Sequence, residues 1–398
     1  MSDKVRSPTT GKEAPKSTFS WSTVLFIVVV VSAIYLGVAL KASYELYDVR
    51  LIPSTPIREL KGDLSPNNRL QESELLLKGK IIGPESIVVE GDKLYTGTHD
   101  GKIVEVTDGE ISKEFILGPK CNPATLENCF RPLGIRRLNA REFIVADAFQ
   151  GLYTVDMNAM IYKKILDANV LIEGEPMRFA DDVDVIDADN VILSDASTRW
   201  SYHQFINDFL EGVPSGRVLH VHIPTVTVTV VAKGFHFANG VQLFPDKKSF
   251  LVCESTTRRV HRIYLSGEMK GRREVFLGTC LQYREKDNVR LGQDGTFWVA
   301  FAGTKQAEKF SLEEFAAQHP FLRRILLTFM PSSWLLNAHI ELKPKHAMTI
   351  QVSQTGEILS SLHDTTADTI QSITQTTDGG EYLYFGNFNG DYIGRLRK

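Results

Sequence analysis

One pattern of short β-strands and tight turns recurs along this chain and limits what it can fold into. In residues 233–265, the dipeptides Asn239-Gly240 and Pro245-Asp246 separate runs that are rich in β-branched and aromatic residues. Such dipeptides between β-rich runs are typical of hairpins, and we expect FANG, 237–240, to be a tight turn before a strand. One such meander cannot bury both of its faces alone, so it requires neighbours of the same kind.

Six stretches of the chain share this pattern. They begin near residues 85, 132, 181, 233, 287 and 371. Because propellers have about four to eight four-stranded blades, the predicted fold is all-β, a six-bladed β-propeller over 71–398. The last stretch is short of one strand. The unassigned run 73–81 is predicted to supply that strand and close the ring, which hides the sheet edges.

The N-terminal part of the chain predicts a membrane anchor. Residues 20–40 carry no charged side chain and have about the ~20-residue length that crosses a bilayer. We predict one transmembrane helix there, acting as a signal anchor. The alternative is a cleaved signal peptide, whose apolar core would be only about 7–15 residues long.

The charges around this apolar segment predict its orientation. Lysines and arginines precede it, which favours a cytosolic tail, 1–19, and type II topology. The propeller would then be extracellular or lumenal, at the plasma membrane or in the endoplasmic reticulum. Residues 41–70 are predicted to form a stalk.

Two inserts interrupt the β pattern, at 199–215 and 305–345. Each follows an inner strand, so both are expected to cap the same end of the propeller axis. In the second insert, apolar residues between Phe321 and Met330 recur at helical spacing, with Arg323 and Arg324 between them. Two interpretations are open: a helix packed over the blade ends, or an amphipathic lid that touches the bilayer.

Cysteine usage and net charge narrow the function further. The four cysteines include no CxxC pair, which argues against zinc. The net charge of −3 gives no basic surface for nucleic acid. Cys121 and Cys129 flank the short loop CNPATLENC, and in an extracellular or lumenal compartment we expect them to form a disulfide bond.

Polar residues occupy the position just before the first strand of several blades. Because that strand lies nearest the axis, these residues are expected to converge at the hub. They are Glu85, Asp181, Asp182, Asn239, Asp287 and Asn288. Carboxylates and carboxamides suit Ca²⁺, which takes about 6–8 oxygen ligands. Asp and Asn also favour turns for local reasons, which is the alternative explanation for any one of them.

Several longer motifs resemble the strictosidine synthase-like family. They include GPESIVV (83–89), IVADAFQGLY (144–153), FADDVDV (179–185), FANGVQLFPD (237–246) and DNVRLGQDGTFWV (287–299). The resemblance covers the apolar segment and nearly all of the remaining chain. It implies a six-bladed propeller, and the related paraoxonase and gluconolactonase hydrolases hold a catalytic Ca²⁺ at the axis.

The resemblance also implies which residues bind the ion. In the related hydrolases the ligands are a Glu, two Asn and an Asp-Asn pair. They correspond here to Glu85, Asp181, Asn239, Asp287 and Asn288. Asp181 departs from the pattern, because it stands where the family usually has Asn. Its extra negative charge would either tighten calcium binding or leave one carboxyl group protonated.

The catalytic base that the resemblance implies is missing. Paraoxonase-like hydrolases use a His in the segment similar to RPLGI, where this chain has Leu133. Substitute candidates are His99, His236, Asp181 and Asp182. Strictosidine synthases use a Glu in the last interblade loop, where this chain has Asp368, so strictosidine synthase activity is not expected.

Two functions fit these observations. The first is a membrane-anchored, calcium-dependent arylesterase or lactonase that acts on a small apolar ester or lactone. The second is a non-catalytic, calcium-stabilised propeller that serves as a binding or adhesion module. The complete ligand set favours the first, and the missing His favours the second. The sequence indicates no particular protein partner.

Overall fold

The computed structural model describes residues 20–53, 60–119, 121, 128–278, 286–303, 312–342 and 345–398. The chain forms two compact units, with the boundary between Tyr47 and Asp48. The predicted cytosolic tail, 1–19, lies outside the described residues.

The first unit contains one long apolar helix, α1 (Trp21–Leu46). It begins at Ser20, whose hydroxyl oxygen accepts a hydrogen bond from the backbone N–H of Ser22 at 3.1 Å and caps the helix. The mean hydropathy of its most apolar stretch is 2.7. Its length and composition are sufficient to cross a membrane.

The second unit is a ring of four-stranded antiparallel sheets, which confirms the predicted six-bladed propeller. Strand β1 (Glu74–Leu76) precedes the first blade. The first blade contains β2 (Ile87–Glu90), β3 (Lys93–Gly97), β4 (Lys102–Thr107) and β5 (Glu110–Ile116). The second contains β6 (Pro132–Arg137), β7 (Phe143–Asp147), β8 (Gly151–Asp156) and β9 (Ile161–Asp167).

A two-stranded ribbon leads from the second blade to the third. Its strands are β10 (Leu171–Ile172) and β11 (Glu175–Pro176). The third blade contains β12 (Ala180–Asp187), β13 (Asn190–Asp195), β14 (Gly216–His222) and β15 (Thr227–Phe235). The fourth contains β16 (Ala238–Leu243), β17 (Ser249–Glu254), β18 (Arg259–Tyr264) and β19 (Arg273–Leu277).

The last two blades complete the ring. The fifth contains β20 (Lys286–Leu291), β21 (Phe297–Phe301), β22 (Ala347–Val352) and β23 (Ile358–Asp364). The sixth contains β24 (Ile373–Asp378), β25 (Tyr382–Asn387) and β26 (Ile393–Arg397). Strand β1 pairs with β26 as its outer strand, with Leu75 opposite Gly394. Both ends of the propeller sequence therefore share one sheet, which holds the ring closed.

Each pair of neighbouring blades shares an apolar cluster. At the junction of the sixth and first blades, Ile393 packs with Leu94 and Val104. Corresponding clusters join the other neighbouring blades. All of these clusters consist of residues from the second unit, so the propeller has its own core and does not depend on α1 to fold.

The inner strands of the second to sixth blades share an irregularity near their start. Two residues interrupt the pairing with the next strand, as in a β-bulge. The pairs are Leu133-Gly134, Asp181-Asp182, Asn239-Gly240, Asp287-Asn288 and Thr374-Gln375, and Glu85-Ser86 lies at the same place before β2. The prediction of a tight turn at FANG is therefore wrong, because Asn239-Gly240 is the bulge within β16.

The two inserts are helical. The first contains a 3₁₀ turn (Tyr202–Gln204) and α2 (Phe205–Glu211). The second contains α3 (Leu312–Ala317), α4 (Pro320–Phe329) and α5 (Ser332–Glu341). Helix α2 packs against both α4 and α5, so the two inserts lie at the same end of the propeller.

The predicted stalk, 41–70, is divided between the two units. Helix α1 continues to Leu46, and residues 54–59 lie outside the described ranges. Leu70 is buried among residues of the fifth and sixth blades. The Asn67 carboxamide donates to the carbonyl oxygen of Ser361 at 3.0 Å. The C-terminal part of the predicted stalk is thus packed on the propeller.

The predicted disulfide bond between Cys121 and Cys129 is confirmed. Their Cα atoms are 4.4 Å apart, and the bond closes the loop that leads into the second blade. Closing such a loop stabilises the fold because it restricts the unfolded chain. Cys253, in β17, is a buried free thiol.

Candidate active site

Four of the predicted hub residues line one cavity, together with Leu133. They are Glu85, Asp181, Asn239 and Asp287. Each of the five is the first member of a pair at the start of an inner strand, and we call this set the cavity layer. The cavity measures about 680 Å³ including the open space at its mouth. The bulges thus place side chains from five blades on one floor.

The polar side chains of the cavity layer are almost completely withdrawn from solvent, with 3–8% of each residue exposed. Asp181 Oδ1 and Asn239 Oδ1 have no hydrogen-bond partner among the described residues. Leaving a buried polar atom unsatisfied costs about 1–3 kcal/mol. Because native proteins rarely accept that cost, these two oxygens make the floor a candidate place for a ligand, a cation or an ordered water.

Negative charge is concentrated on this floor. Burial raises the pKa of Asp181 well above its ordinary value, and the carboxylates of Glu85 and Asp287 raise it further. Burial also raises the pKa of Glu85 to about 7, although the Arg131 guanidinium acts in the opposite direction. A bound divalent cation would relieve this repulsion between carboxylates.

Arg131 fixes the orientation of Glu85. It is fully buried, and its guanidinium donates to Glu85 Oε2 at 3.3 Å and to the carbonyl oxygen of Phe388 at 2.9 Å. It also donates to the carbonyl oxygen of Gly83 at 3.0 Å and to the Tyr202 hydroxyl at 3.1 Å. These contacts join the first and last blades to the first insert. No local sequence signal marks Arg131, because its partners are distant in the chain.

The second members of the same pairs form a separate set, which we call the anchor layer. Its centre is Arg290, whose guanidinium donates to both carboxylate oxygens of Asp182, at 2.9 and 3.0 Å. It also donates to Asn288 Oδ1 at 3.1 Å and to Gln375 Oε1 at 2.7 Å. A Cβ atom at Gly134 would lie only 2.7 Å from the Cα of Asp182, so this packing requires glycine.

Two predicted hub residues, Asp182 and Asn288, belong to the anchor layer and do not line the cavity. Asp182 also accepts from the backbone N–H of Val241 at 2.8 Å. The Asn288 carboxamide oxygen accepts from Arg290. The predicted Asp287-Asn288 ligand pair is therefore divided between the two layers, because adjacent residues of a bulge point to different places.

The predicted histidine bases lie outside the cavity lining. His236 Nδ1 is 3.0 Å from Glu254 Oε1. Burial lowers the pKa of His99 to about 4, and the nearby Arg131 adds to this shift. The imidazole that does line the cavity is His339 of α5, whose ring lies 5.9 Å from that of Phe209. The repeated blade pattern does not indicate His339, because this residue lies in a non-repeating insert.

The walls of the cavity are mostly aromatic. They include Phe179, Phe205, Phe209, Phe237 and Phe388. The Phe237 ring contacts those of Phe179 and Phe209 edge to face, with centroids 5.3 and 4.8 Å apart. This apolar lining above a polar floor suits a small apolar ligand that carries one polar group.

The donor chemistry of the floor fits a hard divalent cation. Carboxylate and carboxamide oxygens are the protein ligands of Ca²⁺, and two of them here lack partners in the described chain. Within the described ranges, no three His, Cys, Asp or Glu side chains are close enough to hold a metal ion by themselves.

Comparison with known proteins gives the family. Residues 62–106 match the family model for the N-terminal part of strictosidine synthase-like proteins, and residues 181–268 match that for strictosidine synthase. The chain is 34% identical over 392 residues to the adipocyte plasma membrane-associated protein of Gallus gallus, covering 97% of this chain and 93% of the relative. The chain belongs to the strictosidine synthase-like family. Asp368, in the last interblade loop, accepts from the Thr366 hydroxyl at 2.6 Å and does not line the cavity.

Solved structures share the fold at low sequence identity. A gluconolactonase from Xanthomonas campestris superposes with a TM-score of 0.54 at 10% identity, covering 87% of this chain and 96% of that protein. Regucalcin from Agrobacterium tumefaciens, a calcium-binding protein, gives 0.52 at 11% identity, covering 81% and 92%. At these identities the comparison shows a common propeller fold.

Proposed function

We propose that this protein is a membrane-anchored, calcium-dependent hydrolase of the arylesterase or lactonase type. Its substrate would be a small apolar ester or lactone. The observation that carries the proposal is the pair of buried oxygens, Asp181 Oδ1 and Asn239 Oδ1, that have no partner in the described chain and line an aromatic cavity. The polar floor suits a cation and the aromatic walls suit an apolar molecule. The proposed hydrolysis of an apolar ester requires both a bound cation and a bound apolar substrate.

The ion would be held by Asp181 and Asn239, whose Oδ1 atoms have no partner in the described chain, with Glu85 and Asp287 lining the same floor. Bound calcium would supply a Lewis acid that polarises the substrate carbonyl group and stabilises the developing oxyanion. Arg131 keeps the Glu85 carboxylate in position. The phenylalanine walls bind the apolar part of the substrate and exclude bulk water, which strengthens electrostatic interactions at the floor.

We assign His339 as the group that takes a proton from the attacking water. It is the one imidazole in the lining, as far as the chain is described, and histidine is the side chain that most often serves this purpose. Asp181 also lines the cavity, but as an ion ligand it would not be available as a base.

The relatives support parts of this proposal. Structures with this fold include a gluconolactonase and a calcium-binding protein, and the relatives similar along the whole chain are called plasma membrane-associated. Together with α1, that name supports a membrane protein. We propose type II topology, with the propeller in the oxidising space outside the cell or in the endoplasmic reticulum, where the Cys121–Cys129 bond is stable.

A hydrolysis assay on the fragment 48–398 tests the proposed activity. The substrates are an aryl acetate and an apolar lactone, measured with calcium and with EDTA. We expect EDTA or Asn239→Ala to lower kcat/KM by on the order of 100-fold, since each removes transition-state charge stabilisation. The matched control is Asn158→Ala, at an exposed turn, which should change the rate less than twofold. Equal rates for wild type and Asn239→Ala would exclude hydrolysis at this site.

A second function is favoured by Leu133. It lines the cavity at the place where the related paraoxonases have histidine, and it makes the floor more apolar. The protein would then be a calcium-stabilised binding module without catalysis. Under this alternative, calcium raises the melting temperature and the cavity binds an apolar fluorescent probe, whereas the ester and lactone substrates remain intact.

A further inference from the structure

We propose that the helical inserts rest on the lipid bilayer, so that the end of the propeller that carries the cavity faces the membrane. The contact surface is a set of exposed apolar side chains, the outer patch: Phe321 and Phe329 of α4, Trp334 of α5, and Leu342. The proposal rests on the membrane anchor proposed above and does not depend on hydrolysis.

Helix α4 differs from an ordinary surface helix, because it buries two arginines and exposes two phenylalanines, while its other apolar residues are buried or half-buried. Arg323, Arg324 and Leu327 are its buried residues, whereas Phe321 and Phe329 are exposed. In water a surface helix normally buries its apolar face and exposes its charges. An apolar helix face turned outward indicates that an apolar partner covers it.

The buried Arg323 connects several segments of the chain through hydrogen bonds. The Arg323 guanidinium donates to the carbonyl oxygens of Ala316 at 2.9 Å and Leu210 at 2.5 Å, and also to that of Arg50. It thereby joins α4 to both inserts and to residues 48–52, which we call the strap. The inward position of Arg323 follows from these contacts, and Phe321 and Phe329 are left on the outside.

The strap is held firmly between the inserts. The backbone N–H groups of Asp48 and Arg50 donate to the Glu211 side chain at 3.0 Å and to its carbonyl oxygen at 2.8 Å. Ile52 is buried against Gly212, where a Cβ atom would lie 2.5 Å from Ile52 Cγ1. The beginning of the propeller unit is therefore attached to the same helices that carry the outer patch.

The covalent chain brings these helices to the bilayer. One residue, Tyr47, separates the end of α1 from the strap, and consecutive Cα atoms are only about 3.8 Å apart. Twenty-six helical residues span about 39 Å, against about 30 Å of hydrocarbon. Whatever direction α1 takes, its end reaches little farther than the headgroup region, so the inserts must lie beside the membrane surface.

The composition of the outer patch agrees with this position. Tryptophan and phenylalanine are typical of residues that enter the headgroup boundary. Trp334 and Phe321 are 66% and 59% exposed. We therefore assign the bilayer, rather than a second copy of the chain or another protein, as the partner of this surface.

Vesicle binding by the fragment 48–398, which lacks α1 but keeps all six blades, tests the proposal. The probe is a phosphatidylcholine vesicle, and binding is measured by co-sedimentation and by quenching of Trp334 with brominated lipid, with Trp334→Phe as the reference. We expect binding that is unchanged between 0.1 and 0.5 M salt, because the contact is apolar. The double variant Phe321→Asp, Trp334→Asp should lower the partition coefficient at least tenfold.

The matched control is Leu171→Asp with Val275→Asp, at positions on the two-stranded ribbon and on the fourth blade that are 69% and 53% exposed. It should bind vesicles within twofold of wild type, and all variants should keep the wild-type melting temperature. Failure of the fragment to bind vesicles, or equal binding by the patch variant, would overturn the proposal. It would also be overturned if the patch substitutions abolished self-association of the fragment but left lipid binding unchanged. Loss of vesicle binding with normal hydrolysis would leave the proposed function intact.

Discussion

Asp181 and Asp182 are neighbours on one strand, yet they belong to different polar layers of the hub. Both are buried carboxylates, exposed by 3% and 1%. Asp182 lies in the anchor layer, where Arg290 neutralises it through two hydrogen bonds. Asp181 lies in the cavity layer, where Oδ1 has no partner in the described chain and other carboxylates are close. A paired buried carboxylate holds the fold together here, whereas an unpaired one marks a candidate ligand site.

The largest expected effect of this difference is on stability. Replacing Asp182 with Asn removes the carboxylate that pairs directly with the buried Arg290 guanidinium. Removing one partner of a buried ion pair costs about 3–5 kcal/mol, and denaturant unfolding of the fragment 48–398 measures this loss. The control is Asp391→Asn, which breaks the exposed pair with Lys78 and should cost at most about 1 kcal/mol. Similar losses for the two variants would contradict the assignment of the anchor layer.

A smaller effect is expected from pH and calcium together. In the folded protein the pKa of Glu85 is about 7, against an ordinary value of 4.5. Between these two pH values the folded state therefore binds more protons than the unfolded state. The free energy of unfolding in EDTA should therefore fall as the pH rises from about 4.5 to 7. Calcium should remove the part of this fall that Glu85 contributes, and at about 100 times its Kd it should add about 2.7 kcal/mol at pH 8.

The variant Asp181→Asn separates this site from other buried acids. Burial also raises the pKa values of Asp147, Asp195 and Asp208 to about 7, but these groups contribute equally with and without calcium. With one repelling carboxylate removed, Asp181→Asn should be more stable than wild type in EDTA at pH 8 and should respond less to calcium. The proposed repulsion between carboxylates of the cavity layer would be contradicted by one result. That result is a free energy of unfolding that depends on pH in the same way in EDTA and in calcium, for both wild type and Asp181→Asn.

The sequence predicted the ring and located the residues of its hub, because both follow from a repeated pattern. The residue just before each inner strand gave Glu85, Asp181, Asn239 and Asp287, and all four line one cavity. Their role as calcium ligands stays a prediction. The pattern could not predict that Asp287 and Asn288 belong to different layers, because this difference follows from the bulge in the strand pairing.

The side chains that the two inserts contribute to the site could not be predicted. His339 and Phe209 line the cavity from helices of the two inserts, and no period places those helices on the blades. Helical spacing showed that α4 is amphipathic, but it did not show which side would face outward. That depends on Arg323, whose partner Arg50 is 273 positions away in the chain. Long-range polar contacts of this kind leave no local signal.

Anomalous scattering from crystals of the fragment 48–398 grown with calcium tests the central claim most directly. We predict one anomalous difference peak in the cavity, within about 2.3–2.6 Å of oxygens from Asp181 and Asn239. Crystals of Asn239→Ala should lack this peak. A cavity without any peak at millimolar calcium, with both oxygens bonded to water instead, would contradict the account.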